Sequence, residues 1–484
     1  MTGSETLGAP QRFVIVHGHF YQPPRENPWL DIVERQISAA PHHDWNERVY
    51  DQCYRPNAYS RLLDKKGMIL DIYNNYRSLD FNFGPTLFSW MLREHPKTAR
   101  RIIDADSESC RRFQDHGNAI GQVYNHLIMP LAKRRDQLTQ IRWAKRFFRQ
   151  HFQRDLEGLW LAETAINMET VRCLVEEGIR FVILSPSQAQ RVRPLDGSQQ
   201  WQETAHHGID TRRPYRIFPC APDQGLIEGF LDVFFFNEPL SREVSFGEIL
   251  NDANVFGEKI RSCFSQHQHE DEAVIIATDG ETFGHHKPLS DMCLAYFFCK
   301  VAPRLGIAPV NFAWYLATHP PAWEVTLKDA FGEGCAWSCA HGVGRWSRDC
   351  GCQTGGQVSW KQHWRAPLRT ALQDLQNRID GKFESRLSPL FGYPWKLRDA
   401  YGAIAEARSL DAMRQVLERL GAKAPLTEAE VLLTRRLIEA QKFMLFAFTS
   451  CGWFFSDIGG IETIQNLAYA GRALQLGIEG REYE

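Results

Sequence analysis

Two acidic side chains, Glu163 and Asp279, stand where apolar runs end. Glu163 closes the run in Gly158-Leu-Trp-Leu-Ala-Glu-Thr-Ala165. Asp279 follows Ala273-Val-Ile-Ile-Ala277 in a segment that continues through Glu281 to His285 and His286. Buried parallel strands read as such apolar runs, and ligands sit at their carboxyl ends. Histidines occupy equivalent places: His17 and His19 follow Phe13-Val-Ile-Val16, and His126 ends Tyr124-Asn-His126. Two carboxyls carried by different strands suit cleavage of a glycosidic bond, one attacking and one donating a proton, roughly 5–5.5 Å apart in a retaining enzyme. On this reading Glu163 is the nucleophile and Asp279 the acid/base, its pKa raised by burial or by its neighbour's charge. Two other readings compete. Each carboxylate could cap the helix that follows it, and His17-x-His19 with Asp279 could ligate the zinc of a metal hydrolase.

Two loops add candidates. Cys335-Ala-Trp-Ser-Cys-Ala-His-Gly-Val-Gly-Arg-Trp-Ser-Arg-Asp-Cys-Gly-Cys352 invites a zinc reading, but its cysteine spacings match no common ribbon or finger. Small buried thiols are the expectation there. His341, Arg345 and Trp346 around its glycine turn have the character of a sugar platform, as does Trp453 in Ser450-Cys-Gly-Trp-Phe-Phe-Ser-Asp457.

The elements that must position these residues alternate. Strand-like runs near 13–16, 79–83, 119–124, 158–163, 180–184, 230–236 and 273–277 are separated by helical patterns near 85–94, 97–115, 136–152, 168–178 and 246–264. That alternation implies a parallel sheet with all its strand ends on one face. Polar residues finish nearly every strand, which favours a βα barrel, ordinary or incomplete, over an open sheet. Residues 187–228 lose the rhythm and read as an insertion. From about 320 the periodicity turns helical, near 360–382, 397–420, 426–448 and 461–476. The expected division is a disordered tail over 1–11, a barrel over 12–318 and a helical C-terminal domain over 319–484 that contributes to the cleft.

Composition sets the frame. A net charge of -2 argues against a general nucleic-acid-binding surface. No basic and apolar leader opens the chain, and no apolar run approaches the roughly 20 residues of a membrane span. Twelve cysteines in 484 residues do not suggest a secreted disulfide scaffold, so the cytoplasm is the expected compartment.

Taken together, these motifs resemble glycoside hydrolase family 57. His17-Gly-His19 with Gln22-Pro23 is similar to that family's opening motif, and Tyr124-Asn-His126 through Pro130-Leu131 to its second. Trp160-Leu-Ala-Glu163 resembles the nucleophile motif, and Asp279-Gly-Glu-Thr-Phe-Gly-His285 the acid/base motif. Trp337 to Trp346 is similar to a looser fifth motif. Ser450 to Phe455 resembles a stretch of the branching-type members, except that Gly452 replaces their acidic residue. The resemblance implies an α/β fold, an incomplete (β/α)7 barrel followed by a helical domain. It implies a retaining enzyme on α-glucan or maltooligosaccharide that needs no metal or other cofactor. Glu163 and Asp279 would be catalytic. His17, His19, Gln22, His126, Glu281 and His285 would hydrogen-bond the sugar, with Trp160, Trp346 and Trp453 offering apolar faces beside His341 and Arg345. A metal-dependent deacetylase and a non-catalytic glucan-binding protein are the alternatives from other classes.

Overall fold

The computed structural model describes residues 10–221, 225–226, 228–267, 269–328 and 332–479. Most of the expected N-terminal tail, and residues 222–224 and 227 of the expected insertion, lie outside the described residues.

Seven parallel strands form the frame: β1 (Arg12–Phe20), β2 (Asp80–Phe83), β3 (Ala119–Gln122), β4 (Leu159–Trp160), β5 (Phe181–Leu184), β6 (Leu231–Phe235) and β7 (Glu272–Asp279). They neighbour one another in the order β7-β1-β2-β3-β4, and a parallel bridge between Gly158 and Phe181 carries the ring on to β5 and β6. Between β6 and β7 no ladder forms among the described residues. The Asn237 N–H donates across that gap to the Ile275 carbonyl at 2.8 Å. The barrel is therefore seven-stranded and incompletely closed.

The strands' alternating faces explain their apolar runs. Phe13, Ile15, Phe181, Ile183, Phe234, Ala273 and Ile275 pack in one cluster with Trp160 and Phe312. Val14, Val16, Val182, Leu184, Val233, Val274 and Ile276 face the other way and pack in the larger cluster with the flanking helices. Both faces are buried, as a parallel sheet covered by helices requires.

Local signals set the helices. Pro85 and Pro96 open Pro85–Glu94 and Pro96–Arg112, where the missing N–H is no loss. Asn167 caps Met168–Glu176 by accepting from the Thr170 N–H at 2.9 Å. A helix at Glu238–Phe246 precedes the one expected over 246–264, which is confined to Ala253–Arg261. Asn237 caps the first ahead of Pro239, and Asp252 caps the second. A β-carbon on Gly247, between them, would lie 2.8 Å from the Glu243 carbonyl. The expected insertion is ordered over much of its length. Tyr215–Ile217 pairs antiparallel with β6, and Ala189–Pro194 pairs with Trp323–Leu327, a strand beyond the expected domain boundary.

The C-terminal helices include Arg365–Phe391, Leu410–Arg419, Glu428–Phe446 and Ile461–Leu474. They have an apolar core of their own around Phe383, Leu387, Leu417 and Leu437. They also grip the barrel. Arg398 pairs with Asp136 at 2.7 Å, both fully buried, and the Trp143 indole donates to the Arg398 carbonyl at 2.8 Å. Near the strand ends Asn125 donates to the Leu445 carbonyl at 3.0 Å, so the helical region meets the face where the polar residues gather.

Candidate active site

The apolar run that leads to Glu163 stops being a strand at Trp160. Glu163 sits in the following turn, Ala162–Thr164, with φ 58° and ψ 22°, and Thr164 is also left-handed at φ 51°. Non-glycine residues reach this region only at a cost of about 1–3 kcal/mol, and the surroundings must hold them there. Here the surroundings are the loop at 335–338. Ile166 and Cys335 exchange both backbone hydrogen bonds at 3.0 Å, and the Trp337 N–H donates to the Glu163 carbonyl at 3.1 Å. The same loop supplies the carboxylate's donors, Ser338 Oγ at 2.7 Å and Trp337 Nε1 at 3.0 Å, both to Oε2. Burial raises the Glu163 pKa, while the Ser338 and Trp337 donors and the Arg345 charge oppose that rise.

Asp279 ends β7 and, among the described residues, has no such donor. Solvent reaches its side chain, although protein atoms crowd around it. Burial, then the charge on Glu163, then that on Glu281 push its carboxyl up to about 7. The Glu163 effect joins the two carboxyls electrostatically, although 116 positions separate them in the chain. Glu281 accepts from Gln22 Nε2 and, at 3.1 Å, from the Tyr54 hydroxyl; burial pushes it up to about 7 as well. Gln22 is itself held by Arg25, whose Nη2 donates to Gln22 Oε1 at 2.7 Å.

Beside the carboxyls lies a pile of flat rings. Trp160 stacks on His17 at 4.8 Å and on His19 at 4.9 Å, His19 on His126 at 5.2 Å, and Tyr21 on His126 at 3.9 Å. His17 Nδ1 is 2.7 Å from Asp80 and its Nε2 3.0 Å from Asn82. Both ring nitrogens of His17 are thus engaged within the protein, one by Asp80 and the other by Asn82. His126, left-handed at φ 58°, places Nδ1 2.6 Å from Ser450 Oγ on the helical side. Among the described residues, its buried Nε2 has no hydrogen-bond partner, and neither has the Trp160 Nε1. Desolvation drives the His126 pKa down to about 3 and holds His19 well below its usual range, so both rings are neutral.

Other expected residues do not take the roles foreseen for them. Trp160, Trp346 and Trp453 are each 0% exposed, so none presents a face for a sugar to stack on. Trp453 instead packs 6.2 Å from Phe448, and the Trp346 indole is enclosed in the main core. His285 Nδ1 is 2.6 Å from Gln52, and with Arg48, Tyr59 and Pro288 it lines a cavity of about 880 Å³. Arg345 is buried, donating to Thr354 at 2.8 Å and lying over Phe454 at 4.3 Å, and it reaches Glu163 only through its charge. His341 belongs to a cluster of thiols.

Several residues at the site were not singled out from the sequence. Trp337 and Ser338 lie 174 and 175 positions beyond Glu163, and both fall inside the looser motif Trp337 to Trp346, which gives neither of them a role. Tyr21 and Cys451, whose Sγ is 3.8 Å from the Tyr21 hydroxyl, both feel the Glu163 charge. Asp80, Asn82 and Tyr54 carry no local signal beyond their polarity. Gly452 has a steric reason: a β-carbon there would lie 2.1 Å from Asn466 Nδ2.

Comparison with known proteins gives this geometry its context. Residues 24–299, more than half of the chain, match the model described as glycosyl hydrolase family 57. Residues 360–482 match a domain of unknown function, DUF3536. No curated protein matches the chain. Among solved structures, an exo-type maltose-forming amylase from Pyrococcus sp. ST04 is 16% identical, with a TM-score of 0.70 over 97% of this chain and 81% of that one. A GH57-type branching enzyme from Pyrococcus horikoshii is 14% identical, with a TM-score of 0.55 over 96% of this chain and 88% of that one. A 4-alpha-glucanotransferase from Thermococcus litoralis is 16% identical, with a TM-score of 0.54 over 96% of this chain and 60% of that one. At these identities the neighbours establish the shared fold, and the motif-bearing region establishes the family. The chain belongs to glycosyl hydrolase family 57.

Proposed function

We propose that this protein cleaves or transfers α-glucosidic linkages of α-glucan or maltooligosaccharides with retention of configuration. Glu163 attacks the anomeric carbon and forms a covalent glycosyl ester, while Asp279 protonates the departing oxygen. Asp279 then takes a proton from the acceptor, water or a sugar hydroxyl, as it attacks the ester. The observation that carries this reading is the contrast between two coupled carboxyls. Glu163 has two hydrogen-bond donors and a nearby guanidinium favouring its ionised form, whereas Asp279 has two carboxylate neighbours and is pushed up to about 7. Environments that drive two carboxyls apart in this way separate nucleophile from acid. No step calls for a metal.

The buried nitrogens of His126 and Trp160 have no partner among the described residues, and a substrate hydroxyl that reached them as the ring pile shifts would satisfy both, so Trp160 would act through its indole N–H. His17 acts as a positioning residue beneath it, and Gln22 and Glu281 form a polar wall with Arg25 and Tyr54. The amylase, glucanotransferase and branching-enzyme names of the structural neighbours agree with a glucan substrate. We assign the barrel to about 12–318 and the cleft-forming helical part to 319–484, with Trp323–Leu327 tied to the barrel side. None of the cysteines with described side chains is in a disulfide, which suits the cytoplasm, and no described helix is long and apolar enough to cross a membrane. Turnover of Glu163→Ala and Asp279→Asn on a panel of α-glucans tests the assignment. Near-wild-type turnover in either variant would end it. Products from maltoheptaose distinguish the acceptor: shorter chains only for water, redistributed chains for a sugar.

A further inference from the structure

The cysteine-rich loop reads from its spacing as buried thiols, yet its fold brings four ligating atoms to one point. Cys339 Sγ lies 3.8 Å from Cys350 Sγ and 3.8 Å from Cys352 Sγ, and Cys352 Sγ is 3.6 Å from His341 Nδ1. All four ligating atoms lie within 4.8 Å of one another. A tetrahedral zinc with Zn–S near 2.3 Å and Zn–N near 2.0–2.1 Å has S···S edges of about 3.8 Å and S···N edges of about 3.6 Å. Three of the six separations fall on those edges, and the remaining ones lie within 4.8 Å. They are far longer than the roughly 2.05 Å of a disulfide. We propose that Cys339, His341, Cys350 and Cys352 bind one zinc ion.

The loop is built for it. The backbone N–H groups of His341 and Arg345 donate to the Cys339 sulfur, an arrangement that steadies a thiolate. Gly351, at φ 86°, lets the chain reverse between Cys350 and Cys352 so that both sulfurs meet the same point. Three thiolates and an imidazole leave a zinc complex with one net negative charge, and two cations stand close by. Arg365 donates to the Cys352 carbonyl at 2.8 Å, and the Arg345 charge acts on the Cys352 sulfur. Four protein ligands fill a tetrahedron, so the site is closed and structural. Its importance lies in what the loop carries. Cys339 directly follows Ser338, and Trp337 and Ser338 hold Glu163. That consequence rests on the proposed role of Glu163; the presence of the ion does not.

Elemental analysis of the full chain, purified without a histidine tag or added metal, is expected to find about one zinc per chain. X-ray absorption at the zinc edge is expected to show three sulfurs and one nitrogen. The double variant Cys350→Ser/Cys352→Ser is expected to lose at least nine-tenths of that zinc, and Cys110→Ser to keep it. Should the double variant fail to fold, the absorption spectrum of the unaltered protein decides. Zinc well below stoichiometric, a shell without sulfur, full zinc retained by the folded double variant, or a disulfide among these cysteines would each overturn the proposal. None of these readouts depends on turnover, so an error about Glu163 leaves them unaffected.

Discussion

Replacing Ser338 with alanine isolates the link between the loop and the carboxylate it holds. Ser338 Oγ donates to Glu163 Oε2 at 2.7 Å, and the Trp337 indole donates to the same oxygen at 3.0 Å. A hydrogen bond to a charged group contributes about 1.5–3 kcal/mol. At about 1.4 kcal/mol per tenfold change, its loss lowers the ionised share of Glu163 by roughly 10- to 150-fold wherever that group is still mostly protonated. The sign is fixed by the protonation state that the donor favours. Ser338 lowers the Glu163 pKa, so the alanine variant raises it, and the acid limb of the kcat/KM profile moves to higher pH. Loss of activity is therefore greatest at low pH and narrows as pH rises past the new limb. Because Trp337 still donates, the variant should remain well above Glu163→Ala. Trp337→Phe is expected to act in the same direction, and the double variant beyond either alone. The assay is kcat/KM on a soluble maltooligosaccharide across the pH range in which the folded protein is stable. A Ser338→Ala enzyme with an unmoved acid limb would refute the reasoning, whether its activity were intact or uniformly reduced.

Further outcomes follow from the same geometry. Activity is expected to fall as pH rises through about 7, because Asp279 then loses the proton it must donate, and that limb belongs to coupled carboxyls as a set. Glu281→Gln removes one negative charge that holds this proton, so the basic limb should move to lower pH; an upward shift would contradict the electrostatics. Gly452→Ala is expected to destabilise the protein by about 1–3 kcal/mol, the usual cost of overpacking. The new β-carbon would press on Asn466, which donates to the Thr449 carbonyl at 2.9 Å. Adding Asn466→Ala should recover part of that loss in thermal melting, and an unchanged melting curve for the single variant would show the contact to be harmless.

Much of the fold was legible because several barrel strands declare themselves as apolar runs buried on both faces. The helical C-terminal region was legible for a similar reason, its 3.6-residue periodicity. What local pattern cannot convey is a turn held from a distance. Glu163 reads as the end of a strand, yet it lies past that end in a left-handed turn fixed by residues 335–338. The donors to its carboxylate were hidden by the same separation. Aromatic residues near glycines read equally well as platform or as core, and burial alone decided against Trp346 and Trp453. His285 shares a short segment with Asp279, but its side chain turns to Gln52, an orientation that spacing does not encode. In the thiol loop the cysteine intervals were uninformative because glycine-permitted reversals, not intervals, bring the sulfurs together.

The central claim is that Glu163 becomes covalently glycosylated while Asp279 manages the proton. Incubating the protein with a fluorinated maltooligosaccharyl fluoride, followed by proteolysis and peptide mass spectrometry, observes that ester directly. The account expects one glycosyl unit on the peptide containing Glu163, attached to that side chain and absent from Glu163→Ala. A glycosyl adduct on Glu281 or Asp279, or no adduct in protein that turns over α-glucan, would contradict it.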